Sequence, residues 1–98
     1  MRKIPPVSPG EMLMEEFLKP FGMSQYSLAK EIGAPARRIN EIILGKRAIT
    51  PDTDLRLCRD FSLPDGRWLR LQAGCDIALA REKMGEVLQK IKPLRKAA

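Results

Sequence analysis

The chain has 98 residues, a net charge of +6 and two cysteines, and it contains no histidine. The length suits one compact domain, and 44% hydrophobic with 31% charged residues excludes both a disordered tail and an integral membrane protein. Without histidine the usual general base is missing, and Cys58 and Cys75 fit neither a zinc spacing nor a disulfide framework. We therefore expect no enzyme activity, no metal and no cofactor. The apolar runs are too short to span a membrane and no secretion signal is visible, so a cytoplasmic location is expected.

The N-terminal region is predicted to be an arm followed by a helix. Residues 1–7 contain two prolines and no periodicity, which indicates an extended arm. A helix is predicted next, because Ser8 is a favoured N-cap, Pro9 suits the first helical position and Glu11 lies three residues after the cap. Pro20 ends this helix. Its apolar stripe consists of Leu13, Met14, Phe17 and Leu18.

Two short helices are predicted next, separated by a brief turn. Ser24 is the expected N-cap of the first, and Gly33 stands where a left-handed residue ends a helix. The second is predicted to run from residue 36 to residue 44, with Gly45 as its stop. The inward-facing positions are Leu28, Ala29 and Ile32 in the first helix, and Ile39, Ile42 and Ile43 in the second.

The rest of the chain is also helical in pattern. A fourth helix is predicted to begin at Thr50, with Pro51 in its first turn. Its expected buried face is Leu55, Leu57, Cys58 and Phe61. Residues 65–92 follow a helical period with two adjacent apolar stripes, and Gly74 and Gly85 are places where that stretch can bend or divide. No segment alternates as a strand does, so the fold is predicted to be all-α.

The second and third predicted helices, with a glycine at the turn between them, form a candidate helix-turn-helix. In a DNA-binding unit of this kind, the N-terminal turn of the second helix enters the major groove. Four residues there face outward as candidate base readers: Ala36, Arg37, Asn40 and Glu41. Arginine pairs with guanine and asparagine with adenine. Glu41 is either an acceptor for cytosine or an ion-pair partner for Arg37 or Arg38.

Positive charge is concentrated in residues 24–50, with five cations against two anions, and in residues 81–98, with six against two. A basic surface favours a polyanionic partner such as nucleic acid. The candidate phosphate contacts are Arg38, Lys46 and Arg47, together with Ser24 and Gln25 at a helix N-terminus. Two other interpretations stay open at this stage. The cations are the solvated face of ordinary helices, or the helix-turn-helix is used only as a protein-interaction module.

The string SPGEMLMEEFLKPFGMSQYSLAKEIGAPARRINEIILGKRAITPDTDLRL resembles the HigA/VapI antitoxin branch of the Xre-type helix-turn-helix family, and WLRLQAGCDIALA resembles its dimerisation helix. The resemblance implies a five-helix, phage-repressor-like fold, with a helix-turn-helix DNA-binding domain over residues 8–64 and a C-terminal helical dimerisation extension over residues 65–98. The matching DNA-contacting positions are Gln25, Arg37, Arg38, Asn40, Lys46 and Arg47, and the matching interface positions are Trp68, Leu69, Leu71 and Gln72.

The same resemblance implies a type II antitoxin and its partners. Such a protein is a homodimer that binds double-stranded operator DNA at a palindrome and represses its own operon. It also binds a HigB toxin, which is a RelE-like mRNA endonuclease. A stand-alone repressor without a toxin is the alternative. Acidic residues on the first and fourth helices form a candidate toxin-docking face, although they serve equally well as caps and dipole partners: Glu11, Glu15, Glu16, Asp52, Asp54 and Asp60.

The C-terminal helix also favours a dimer on its residues alone. One small chain does not easily cover two adjacent apolar stripes on a single helix. Cys75 continues the stripe of Trp68 and Leu71, and it is included in the predicted interface. The alternative is that both stripes are buried within one chain, against the first and fourth helices.

Overall fold

A computed structural model describes residues 7–94, and every regular element in that range is helical. Helix α1 (Pro9–Met12) continues as a π-helical segment (Leu13–Leu18) and is followed by α2 (Gln25–Ile32), α3 (Ala36–Ile43), α4 (Pro51–Asp60), α5 (Arg67–Lys83) and α6 (Gly85–Lys90). The predicted all-α fold is confirmed. The predicted arm over residues 1–7 lies outside the described residues, except for Val7 at its end.

Helices α1, α2 and α4 begin where their capping residues predict. Ser8 Oγ accepts the Glu11 backbone N–H at 3.2 Å, and Pro9 occupies the first turn of α1. Ser24 Oγ accepts from Ser27 at 3.0 Å at the start of α2. Thr50 accepts from Thr53 at 3.4 Å at the start of α4. These bonds satisfy backbone donors that the first helical turn leaves without partners, which explains why such short helices start at fixed residues.

One core holds the first five helices together. Helix α3 contacts α1 and α2, α4 contacts α2, and α5 contacts α1 and α4. Phe17, Phe61 and Trp68 form an aromatic group whose ring centroids lie 4.6 to 6.4 Å apart. Because Trp68 of α5 belongs to this core, the start of α5 completes the domain that was predicted to end at residue 64. The fully buried side chains of the core include Leu13, Leu18, Leu28, Ile39, Leu57, Cys58 and Trp68.

Gly10 is where α1 crosses α3 most closely. A Cβ atom at this position would collide with the backbone oxygen of Ile42 and lie 2.8 Å from Ile43 Cα. Both neighbours are helix backbone, which cannot rotate away as a flexible side chain would. The glycine therefore allows α1 to lie directly on the C-terminal half of α3, and this contact sets the direction in which α3 leaves the domain.

The buried face of α4 differs from the prediction. Leu57 and Cys58 are fully buried as expected, and Phe61 packs partly against the core. Leu55, however, is 48% exposed, whereas Thr53 and Asp54 are 1% exposed. Positions 53, 54, 57 and 58 share one side of a helix with 3.6 residues per turn, and position 55 points away from it. The prediction that Leu55 is buried was wrong, because it was based on hydrophobicity alone.

Asp54 is buried because it caps α5 from across the fold. Its Oδ2 accepts the Gly66 backbone N–H at 2.7 Å, and its Oδ1 accepts those of Trp68 at 2.8 Å and Leu69 at 3.0 Å. The first turn of α5 has no capping side chain of its own. The two carboxylate oxygens accept three hydrogen bonds at the positive end of a helix dipole, which offsets the desolvation of the charge. Asp54 is therefore not part of an acidic docking surface.

The C-terminal stretch divides at Met84, immediately before Gly85, while Gly74 lies inside a continuous α5. In the stripe that begins at Trp68, Trp68 and Cys75 are buried and Leu71 is partly buried. The predicted second stripe is different, since Leu69 is only partly buried and Ile77 is 55% exposed. Apolar side chains that α5 and α6 leave exposed within one chain are Ile77, Leu79, Met84, Val87 and Leu88.

Candidate DNA-binding surface

Helices α2 and α3 form the predicted helix-turn-helix. Gly33 ends α2 in the left-handed conformation with φ +70°, and α3 begins three residues later at Ala36. Ile39 is fully buried and Ile42 is 2% exposed, so they anchor one side of α3 in the core. The opposite side of α3 consequently faces solvent along with the start of α2.

Gln25 and Asn40 are joined across the two helices of this unit. Asn40 Nδ2 donates to Gln25 Oε1 at 3.1 Å. The two residues are 15 positions apart, and both were predicted to contact DNA, one at a phosphate and the other at a base. The bond brings the two predicted contacts together on one outer surface. It leaves Asn40 Oδ1 as an acceptor and Gln25 Nε2 as a donor.

Glu41 holds two arginines of the predicted site. Its Oε1 accepts from Arg47 Nε at 2.8 Å and its Oε2 accepts from Arg37 Nε at 3.3 Å. The hydrogen bond from Arg47, followed by the charges of Arg47 and Arg37, holds the pKa of Glu41 below its ordinary value of 4.5, against the opposing effect of desolvation. The carboxylate is therefore ionised at neutral pH. Of the open sequence-based alternatives for Glu41, the ion pair with Arg37 is present.

Arg38 lies on a different side of α3 from Arg37. Its Nη1 is 3.6 Å from Asp52 Oδ1, and its side chain is 32% exposed. Asp52 also accepts from Arg56 Nε at 2.7 Å. Arg56 in turn donates through Nη1 to the backbone oxygen of Ile32 at 2.8 Å, and so it caps the C-terminal end of α2. The sequence pattern does not reveal this structural role of Arg56, because the bond joins residues that are 24 positions apart.

The remaining predicted DNA contacts lie at the edges of the same surface. Ser24 Oγ accepts a hydrogen bond as the α2 cap and its backbone oxygen accepts from Leu28, so its backbone N–H is the group that can donate to a phosphate. Ala36 is partly buried at the start of α3. Lys46 is exposed and takes part in none of the ion pairs found in residues 7–94. Tyr26, which was not predicted, is 71% exposed in the first turn of α2, beside Gln25.

The comparisons with known proteins agree on one family. The family described as helix-turn-helix (HTH_3) matches residues 14–64. Virulence-associated protein I of Dichelobacter nodosus is 44% identical over 80 residues, which cover 82% of this chain and 74% of that protein. Antitoxin HigA-1 of Vibrio cholerae serotype O1 is 32% identical over 91% of this chain and 84% of its own. The chain belongs to the HigA/VapI family of helix-turn-helix antitoxins. The family resemblance seen in the sequence is confirmed.

A solved HigA structure has the same fold. The Pseudomonas aeruginosa antitoxin HigA with the higBA promoter is 34% identical and matches with a TM-score of 0.83, over 92% of this chain and 99% of that one. The match therefore includes the C-terminal helices as well as the helix-turn-helix. The HigA fold of this chain is all-helical through residues 7–94, with a sixth helix after the predicted five.

The positions predicted for a dimer interface in this HigA-type chain are buried to different extents. Trp68 is 1% exposed and Cys75 is 8% exposed, so neither offers much surface to a second copy. Gln72 is bound to the backbone of Ile49, donating to its oxygen at 3.0 Å and accepting its N–H at 2.7 Å. Leu69 and Leu71 are partly buried and pack against the core. The dimer interface stays a prediction. Because these positions are occupied within the chain, the exposed apolar residues after Cys75 are the better candidates for contacts with a second copy.

Two further properties of this HigA-type chain concern metal binding and membrane crossing. Within residues 7–94, no group of three or more His, Cys, Asp or Glu side chains is arranged to hold a metal ion. In the same range, none of the helices has the length and apolar character that crossing a membrane requires.

Proposed function

We propose that this chain is an operator-binding antitoxin that represses its own operon. The observation that carries the proposal is the outer face of α3, where the joined Gln25 and Asn40 amides lie on the same surface as Arg37 and Arg47. This arrangement supports the proposal, because a major-groove reader needs side chains that can pair with base edges and cations that can contact phosphates. A HigA relative of the same fold was solved with promoter DNA.

The proposed roles divide the surface into two parts. Arg37 and Asn40 read base edges, with Ala36 at the point of closest approach to the groove. Phosphates are held by Arg38, Lys46 and Arg47, and by the N-terminus of α2 at Ser24 and Gln25. Arg38 exchanges Asp52 for a phosphate when DNA binds, a step made easy by the 3.6 Å separation of that pair.

We propose that the operator is bound by a homodimer formed through α5 and α6. Support comes from the apolar side chains that these helices leave exposed, Ile77 at 55% and Val87 at 54% among them. Such a surface on a small chain favours a partner of the same kind. The two α3 helices of a dimer would then meet half-sites about 34 Å apart, or a multiple of that distance, on a palindrome.

The DNA-binding proposal is tested by fluorescence anisotropy on promoter DNA from upstream of the chain's own reading frame. A scrambled duplex of equal base composition serves as the control. We expect tight binding to the promoter, weak binding to the scrambled duplex, and a steep loss of affinity as salt is raised, because several cations displace counterions. Equal affinity for the two duplexes would refute operator recognition. Binding to neither would leave the protein-interaction module as the better interpretation.

The antitoxin role is proposed from family membership, with a HigB-type, RelE-like toxin as the partner. The reading frame beside the gene should encode a basic chain of about 100 residues, which suits a small single domain. Co-expression should relieve the growth arrest caused by that neighbour, and the two chains should co-purify. If no such neighbour exists, or if it arrests growth equally with and without this chain, the stand-alone repressor is the correct alternative.

A further inference from the structure

Glu41 has an unusual position for a carboxylate in a proposed DNA-reading helix. It lies on the outer side of α3 between a candidate base reader, Arg37, and a candidate phosphate contact, Arg47. Each carboxylate oxygen accepts one hydrogen bond, and both donors are Nε atoms. The Glu41 side chain is 24% exposed, whereas Arg37 is 86% exposed and Arg47 is 48% exposed. The carboxylate is thus the least exposed member of the three, with the guanidinium groups on its outer sides.

This geometry preserves the part of each arginine that recognises DNA. A guanidinium has five N–H donors, and an acceptor at Nε occupies one of them. The Nη1 and Nη2 groups remain available for a guanine edge or for two phosphate oxygens. A guanidinium that is already held by a carboxylate has less rotational freedom to lose when DNA arrives, which reduces the entropic cost of the contact.

The charge of Glu41 also acts on DNA binding. An ionised carboxylate repels phosphates, and within this cluster it cancels one of the two positive charges. The attraction of any duplex, regardless of sequence, is therefore weaker than two free arginines would give. This cost is common to the operator and to a non-matching duplex, so by itself it lowers both affinities without changing their ratio. The ratio is increased by the positioning of Arg37, because only a duplex with the matching base benefits from it.

We infer that Glu41 is a positioning residue that sets DNA specificity through Arg37 and Arg47 and does not itself read a base. The inference rests on the proposed DNA-binding function. It replaces the sequence-based assignment of Glu41 as an acceptor for cytosine. The two interpretations differ in what they predict for DNA that is not the operator, because a base reader has no role there.

The experiment compares E41Q with the wild-type chain on promoter DNA and on the scrambled duplex, across a series of KCl concentrations. Glutamine keeps the size of the side chain and removes its charge. We expect E41Q to bind the scrambled duplex about five- to tenfold more tightly near 0.1 M salt, with a log–log salt slope steeper by about one, as for one added phosphate contact. Promoter affinity should stay level or fall, so the specificity ratio decreases.

The matched control is E15Q, since Glu15 forms an exposed pair with Lys19 at 2.8 Å on the first helix, outside the proposed site. It changes the net charge equally and should leave the specificity ratio at the wild-type value. An equal change in E15Q would show that net charge alone is responsible and would overturn the inference. A loss of discrimination at one base pair in E41Q, with an unchanged affinity for the scrambled duplex, would also overturn it and restore the base-reading role.

A second measurement needs no DNA. In the free wild-type chain, the Nε–H groups of Arg37 and Arg47 should give NMR signals that are protected from solvent exchange, and E41Q should abolish the protection while the backbone amide spectrum is retained. Unprotected signals in the wild type would refute the positioning role. A wild-type chain that shows no preference for its promoter refutes the proposed function. A wild type with such a preference and an E41Q variant with the same ratio refute this inference alone.

Discussion

The Asn40 side chain donates a hydrogen bond to the Gln25 side chain at 3.1 Å, so that the proposed reading helix and the first turn of α2 present one joined polar surface. Two amides that are ordered before DNA arrives lose less freedom on binding. The bond also selects the face of each amide that points outward, with an acceptor on Asn40 and donors on Gln25. The pair is therefore expected to act as one unit in recognition.

Asn40→Ala should lower promoter affinity by about 1–3 kcal/mol and remove discrimination at one base pair, as expected for the loss of one bidentate base contact. Gln25→Ala should weaken recognition at the same base pair, because it leaves Asn40 without its partner. Titrations of both single variants and the double variant, on the promoter and on its single-base variants, measure the coupling. A coupling free energy of at least about 0.5 kcal/mol between the two substitutions would indicate that Gln25 and Asn40 act together in recognition. Additive losses at different base pairs would show two independent contacts.

Arg37→Ala and Lys46→Ala should change DNA binding in different ways, the first by lowering specificity and the second by lowering affinity for all duplexes. Arg37 is 86% exposed on α3 and is proposed to read a base, so its loss should reduce the preference for the promoter over single-base variants. Lys46 follows α3 beyond Gly45 and is proposed to hold a phosphate. Its loss should weaken all duplexes alike and reduce the salt slope by about one. Equal losses of specificity from the two variants would refute this division.

Local features made most of the helix-turn-helix predictable from the sequence. Ser24 caps α2 through a residue three positions away, and Gly33 ends it with φ +70°. Both features depend only on neighbours in the chain, so the residue types reveal them. Ile39 and Ile42 repeat with helical spacing and are buried as predicted. The outer face of α3 then follows by elimination.

The features that the sequence did not reveal depend on contacts between distant segments. The sequence pattern indicates only a dipole or surface role for Asp54, because its three hydrogen-bond donors lie 12 to 15 residues further on. Leu55 was expected to be buried, since hydrophobicity alone gave no reason to place an aspartate inward. The pairing of Glu41 with Arg47 crosses the end of α3 at Gly45, and helical spacing alone does not predict a contact beyond a helix stop.

Asp54→Asn should destabilise the fold, although the two side chains have nearly the same size. The substitution replaces a charged acceptor of three backbone N–H groups with an amide that has one acceptor oxygen and adds buried donors. A loss of about 2–4 kcal/mol in the free energy of unfolding is expected. Urea unfolding followed by circular dichroism measures it. The control is Asp60→Asn on the same helix, where the residue is exposed and a change within about 0.5 kcal/mol is expected.

Acid should weaken the Glu41 cluster within a defined range of pH. Because the hydrogen bond from Arg47 and the nearby positive charges lower the pKa of Glu41 in the folded chain, the folded state binds fewer protons there than the unfolded state. Its contribution to stability is complete above the ordinary pKa of 4.5 and is lost as the pH falls through the lower, folded value. The difference in unfolding free energy between wild type and E41Q should therefore become smaller as the pH falls below 4.5. A difference that stays constant down to about pH 3 would contradict the lowered pKa.

Gly10→Ala and Gly74→Ala should change stability in opposite directions, although the substitution is the same. At Gly10 the new methyl group meets the backbone of α3 at Ile42 and Ile43, and neither helix can yield without moving the proposed reading surface. A loss of about 1–3 kcal/mol is expected, along with weaker promoter binding. Gly74 lies inside α5, where an added Cβ would have no atom within 4 Å in the described residues apart from its chain neighbours and the adjacent backbone of its own helix. Alanine should therefore stabilise the helix by about 0.5–1 kcal/mol. Thermal unfolding of both variants decides the matter, and a destabilised Gly74→Ala would show that α5 needs the glycine for a contact made outside the single chain.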